Sequence, residues 1–236
     1  MADYKVDLTD PNFNSLLVSL GVTGSIHYAP YGTKAPKGLQ TYSKPWVNLG
    51  WLSEDGITES LSRESNSFTP WQSNSPVREA SSSEEFTFSA TLWTIGGLAN
   101  AMRYGVPEDE MTYDEQGKFV EFKQGENLPE EFRFPLAFDI LDGDKHRRII
   151  LPAASVIDPS DVTYNKGDLI GYPMTWRANF DGDAGYSVLR RFKEGWRPGQ
   201  SGIDTSAGAV EVRDLGDWSN ASASAPGSTD TNPTGP

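Results

Sequence analysis

The side chains able to do acid–base, nucleophilic or metal chemistry are few in this sequence, and their spacing does not bring them together. Cysteine is absent, which removes disulfides, thiolate nucleophiles and cysteine metal sites. The two histidines are His27, in a short predicted strand, and His146, beside a predicted turn. Neither has the spacing of a zinc site or a catalytic triad, and no nucleophile elbow, P-loop or GxGxxG occurs. Asp142-Gly143-Asp144 and Asp181-Gly182-Asp183 begin like calcium loops but lack the remaining ligands of an EF-hand loop. Asp-Gly between strands is ordinary turn chemistry. Glu84-Glu85 and Glu130-Glu131 supply the paired carboxylates a glycosidase uses, but neighbours on a strand point to opposite faces and do not meet at one substrate. The sequence therefore predicts no enzyme and no catalytic, metal or cofactor site.

The elements that carry these residues read as β. Gly 23 and Pro 16 are high, 36% of the 236 residues are hydrophobic, and the mean hydropathy is -0.51. That mixture suits many short strands and turns more than a helical core. Strands are predicted over 25–29, 46–52, 57–63, 83–93, 132–140, 147–151, 155–164, 168–180 and 186–192. In 83–93, Phe86, Phe88, Ala90 and Leu92 share one face while Glu85, Thr87, Ser89 and Thr91 take the other, the signature of a half-buried strand. Ser53–Gly56 and Asn165–Gly167 are read as hairpin turns. Prolines break 68–78 into short pieces. The only helix expected is 94–104, with Ile95, Leu98 and Met102 buried over the outer face of the sheet. Residues 108–129 are read as a loop or weak hairpin.

The ends differ from the middle. Residues 1–20 are read as an N-terminal arm, 21–195 as the β domain with a long proline-rich loop at 30–45, and 196–236 as a polar C-terminal arm. Ser219–Pro236 has no apolar residue larger than alanine and is expected to be disordered. The first seven residues carry charge and no apolar core, so a secretory signal is not expected and synthesis in a cytoplasm is. No apolar run reaches the length of a membrane span. Lys+Arg 20 against Asp+Glu 33 gives a net charge of -13, which disfavours a nucleic-acid grip because phosphate neutralisation supplies that affinity. The same charge also keeps a concentrated protein soluble.

One stretch is more specific. Trp46-Val47-Asn48-Leu49-Gly50-Trp51-Leu52-Ser53-Glu54-Asp55-Gly56-Ile57-Thr58-Glu59-Ser60 continues through Arg63-Glu64, Phe68-Thr69-Pro70-Trp71, Val77-Arg78 and the aromatic strand up to Trp93. This pattern resembles the major tail protein, or tail tube protein, of long-tailed bacteriophages, particularly those of actinobacteria. The resemblance implies a β-sandwich or partial barrel with one flanking helix, its strands contributed to a shared inner barrel. It also implies six copies per ring and rings stacked into a hollow tube that conducts double-stranded DNA without specific binding. The implied partners are the chain itself and the tail-tip, tape-measure and tail-terminator proteins, in a virion tail assembled in the host cytoplasm. Under this reading the 30–45 loop supplies inter-ring contacts, with Tyr31, Lys34, Lys37 and Tyr42 as candidates, and Glu59, Glu64 and Asp139 are candidate luminal acids. The alternative is a carbohydrate-binding or adhesin module, or another tail or capsid accessory protein. A sugar platform needs exposed aromatics, whereas Trp46, Trp51, Trp71, Trp93 and Trp176 mostly fall in predicted strands.

Overall fold

The computed structural model describes residues 17–125 and 132–198. Gly21–Phe192 is one compact unit, and the account below concerns it. A second unit takes in Met1–Leu20 and Lys193–Pro236. Most of the expected N-terminal arm, and the C-terminal arm beyond residue 198, lie outside the described residues.

The elements are β1 (Thr23–Tyr28), β2 (Val47–Asn48), β3 (Thr58–Phe68), β4 (Arg78–Leu92), α1 (Gly97–Tyr104), β5 (Thr112–Asp114), β6 (Phe119–Glu121), β7 (Phe134–Asp142), β8 (Lys145–Asp158), β9 (Tyr172–Asn179) and β10 (Leu189–Lys193). Eight of the strands form one sheet in the order β2-β1-β7-β8-β9-β4-β3, with β10 also on β8, while β5 and β6 make a separate hairpin. The main sheet curls. Asn48 pairs with His27 on β1, and four residues later Leu52 bridges Leu92 at the end of β4. The segment 47–53 thus spans the gap between the two sides of a partial barrel that does not close.

Alternation decides what fills it. Ile26, Phe88, Phe134, Leu136, Phe138, Ile149, Leu151, Met174 and Trp176 point inward and are buried. Phe138 stacks on Phe88 at 4.9 Å and tilts against Trp176 at 6.1 Å. Helix α1 adds Ala99 and Met102 to this core and ends at Gly105 in the left-handed conformation (φ 66°), where glycine carries no Cβ penalty.

Several expectations are corrected. The strand predicted over 46–52 shrinks to two residues, and the turn closed by the Gly56 N–H on the Ser53 carbonyl does not join two paired strands. It carries the chain from β2 to β3, on the other side of the sheet. Ile95 precedes the helix and is 37% exposed, and α1 packs on the core side of the sheet. The strand expected at 147–151 and the first part of that expected at 155–164 are one strand, β8, and 159–164 lie beyond its end. Pro152 is tolerated there because Leu151 pairs with Leu136 and Ala154 with Phe134, so Pro152 and Ala153 oppose Pro135 in an irregularity that already interrupts the ladder. Pro70 and Pro76 do not break the ribbon, because they lie in the tip between β3 and β4.

Two substitutions test this packing. Phe138→Ala leaves a cavity among fully buried neighbours and is expected to cost about 3–5 kcal/mol in chemical denaturation. Gly50 has φ 90°, and an added Cβ would meet the Thr94 hydroxyl oxygen at 2.3 Å. Gly50→Ala is therefore expected to cost at least about 1–2 kcal/mol from backbone handedness alone. A stability equal to the parent in either variant contradicts this packing.

Candidate assembly interface

The outer side of the partial barrel is divided. Over β1, β7 and β8 it is covered by the 30–45 loop, which is pinned rather than loose. Asp139 and Arg148 oppose each other across β7 and β8. Arg148 Nε donates to Asp139 Oδ1 at 2.7 Å and Nη2 donates to Oδ2 at 2.9 Å. The remaining Nη1 reaches the Gln40 carbonyl at 2.7 Å, and the guanidinium lies 4.3 Å from the Tyr42 ring centre. Tyr42 stacks on His27 at 3.8 Å, and Ala29, Trp46, Ala137 and Ile150 form a second apolar cluster beneath the loop. Arg191 Nη1 adds bonds to the Pro36 and Gly38 carbonyls at 2.6 and 2.9 Å.

Over β3, β4 and β9 the outer face is rich in hydroxyls, exposed along β3 and half-buried at Thr87, Ser89 and Thr175. Register places Thr58 against Ser89, Ser60 against Thr87, Ser62 against Glu85 and Glu64 against Ser83. Across β4, Thr87 faces Arg177 and Ser89 faces Thr175. Glu85 pairs with Arg177 at 2.9 Å, and Ser83 Oγ donates to Glu64 Oε2 at 3.2 Å. All eleven residues of β3 are exposed. Among the described residues it is an edge strand whose outward backbone groups have no partner strand in the sheet order. Only Thr87–Leu92 of β4 pairs with β9, so Arg78–Phe86 continues past the sheet bonded to β3 alone. A two-stranded ribbon of this kind is marginal in water by itself. Its tip carries Trp71, 99% exposed.

The structure separates the expected site residues. Tyr31, Lys34 and Lys37 are exposed, and Tyr31 Oη donates to Asp181 Oδ2 at 3.0 Å. Tyr31 and Lys34 line a cleft of ≈ 520 Å³ with Pro135, Pro152, Asp181 and Tyr186. Tyr42 is held in the stack below Arg148 and is not a free contact residue. Of the three candidate acids, only Glu64 stands on the hydroxyl face. Glu59 shares the core-side face with Phe88 and bonds Arg190. Asp139 is 5% exposed and committed to Arg148 and His146. Its carboxyl is pushed up by burial but held below the usual range by hydrogen bonds from Arg148 and His146. Among the described residues no group of three or more His, Cys, Asp or Glu could hold a metal ion. No helix among them is long and apolar enough to cross a membrane. Trp51 is 80% exposed, so it and Trp71 are surface residues, against the expectation that the tryptophans lie within strands.

Arg148 and Arg191 were not singled out from the sequence. The available signal was an arginine on the Asp139 side of the strand alternation, opposite a carboxylate one hairpin away.

A curled antiparallel sheet with an exposed edge strand and a long projecting two-stranded ribbon offers strand edges for another chain to pair with. A model of the phage tail tube protein family matches residues 11–187, and the chain belongs to that family. Membership makes it a structural component of the virion tail, assembling with itself and with other tail components. A search of individual curated proteins gives no match.

The buried polar groups predict the response to acid. Burial lowers the His27 pKa, so the unfolded chain takes up this proton first and stability falls as pH drops below about 6.5. Asp139 is also depressed, so its contribution is present above about pH 4 and is lost as pH falls further. A melting temperature that declines in two stages, with the upper one absent in His27→Gln, is expected. A melting temperature that rises on acidification between pH 6.5 and 5 contradicts the assignment.

Proposed function

We propose that six copies close into a ring, that rings stack into the tail tube, and that the hydroxyl face of β3, β4 and β9 lines its channel for passage of double-stranded DNA during ejection. The observation that carries this reading is the hydroxyl face lying on the same strands as the unpaired edge of β3. An exposed edge of this length is an aggregation hazard unless another strand covers it. Pairing β3 with a neighbouring copy removes the edge and turns the polar face toward a common axis, where a water-filled lumen wets it. The outward half of the 30–45 loop, with Tyr31, Lys34 and Lys37, is assigned to contacts with neighbouring copies. Tail-tip, tape-measure and tail-terminator proteins are the expected further partners, and assembly takes place in the host cytoplasm.

The channel wall on this reading is dominated by hydroxyls, with acids interspersed. Glu85 is neutralised by Arg177, which leaves Glu64 as the acid without a cation. Duplex DNA carries about one phosphate charge per 1.7 Å, so a wall whose Arg177 is already paired with Glu85 offers it little grip. A carbohydrate-binding role draws on the exposed Trp51 and Trp71, but these rings stand at opposite ends of β4 and form no common platform. A glycan array without hits is expected.

Negative-stain images of the concentrated full chain should contain stacked rings or tubes. Glu64→Lys and Thr87→Lys each place a cation on the proposed wall. Both are expected to leave tubes intact and to slow DNA ejection several-fold from particles carrying them. Unchanged ejection from intact tubes contradicts the assignment of this face to the channel.

A further inference from the structure

Two uncovered apolar surfaces lie at opposite ends of β4. The first is the ribbon tip, where Trp71 is 99% exposed, Val77 71% and Phe68 54%. The second is the base, where Trp51 is 80% exposed and Trp93, just past Leu92, is 38% exposed. The Trp93 N–H donates to the Trp51 carbonyl at 2.9 Å, so the two tryptophans are neighbours on one surface. Gly171 packs against Trp93, which brings the exposed Leu169 and Ile170 to the same end. The fifteen residues of β4 put roughly 50 Å between tip and base.

We propose that the tip of one copy docks through Trp71 on the Trp51–Trp93 surface of a second copy of this chain. This pairing deepens the tube reading and rests on it, because it names the surfaces by which successive rings meet. Tip and base differ in shape and stand at opposite ends of one strand, so the contact is heterologous. Such a contact does not saturate in a dimer and repeats along one direction.

Both surfaces are pre-shaped. At the tip the Ser73 N–H donates to the Pro70 carbonyl, the Val77 N–H to the Phe68 carbonyl and the Ser75 N–H to Ser73 Oγ. Pro70 and Pro76 further limit the freedom lost on docking. At the base the Trp51 N–H is fixed on Thr94 Oγ1 at 2.8 Å. Charge is complementary as well. At the tip Arg78 stands opposite Phe68 while its neighbour Glu79 points to the other face, and the base presents the exposed Glu54 and Asp55 three and four residues past Trp51. A central aromatic ringed by contacts that exclude water is the usual anatomy of an energetic hot spot.

The absence of cysteine in the chain gives a clean test. The full chain carrying both Ser73→Cys and Asp55→Cys, oxidised at high concentration, should give a disulfide ladder of dimers, trimers and higher multimers on a non-reducing gel. Either single variant can give dimers at most. Adding Trp71→Ala to the double variant should raise the concentration needed for the ladder about 30-fold, the equivalent of one hot spot. In the chain without cysteines, Arg78→Glu should weaken association and Glu54→Arg should restore it, which a purely structural role for either residue would not give. A double variant that stops at dimers, or a ladder unaffected by Trp71→Ala, overturns the pairing whether or not the parent chain forms tubes. A ladder from a chain that never forms tubes leaves the pairing standing and removes the tube.

Discussion

The guanidinium of Arg148 and the carboxylate of Asp139 face each other on the outer side of β7 and β8, where two unpaired charges would cost several kcal/mol each to bury. Their bidentate bond makes burial tolerable, and the third nitrogen of the fork reaches out to the Gln40 carbonyl. That spare donor holds the 30–45 loop down, with the Tyr42 ring beneath the guanidinium and His27 stacked on that ring. Replacing the pair with apolar residues could preserve a core, but it would remove the anchor of the loop. The division of the outer surface into a covered half and a bare half follows from this contact.

The bare half is shaped by the length of β3 and β4. Each strand serves two settings: the inner part pairs within the sheet and buries Phe86, Phe88, Ala90 and Leu92 to differing degrees, while the outer part runs on as a free ribbon. The same alternation that buries these residues sends Ser60, Ser62, Glu64, Ser83, Glu85, Thr87 and Ser89 outward. Hydroxyls suit a surface that must be wet without binding. They hydrogen-bond water readily and carry no charge to attract a phosphate backbone. On this face Glu85 is neutralised in place by Arg177.

The alternating strands were legible from sequence because period two is set by the pleat itself. The faces of 83–93 follow the alternation read from its residues. The extent of 68–78 was not legible, because proline breaks a strand interior but is neutral in a ribbon tip, and local sequence does not say which applies. The three acidic candidates were not separable in the sequence for a related reason. Glu59, Glu64 and Asp139 are equivalent as residue types, and only register and partners separate them: Glu64 on the hydroxyl face, Glu59 bonded to Arg190 on the core side, Asp139 buried against Arg148. The motif around Leu49–Ser60 carried the family resemblance, yet it does not form the strand–turn–strand its residues suggest. Its glycines instead serve the close approach of Gly50 to Thr94 and the turn at Gly56.

The central claim is that the hydroxyl face of β3, β4 and β9 is the wall of a channel built from several copies. A helical reconstruction of the assembled tube by electron cryomicroscopy tests it most directly. The account predicts Ser62, Glu64, Ser83 and Thr87 at the inner radius, with the edge of β3 hydrogen-bonded to a strand of the neighbouring subunit. A reconstruction that places these residues on the outside of the tube, or that leaves β3 unpaired in the assembly, would contradict it.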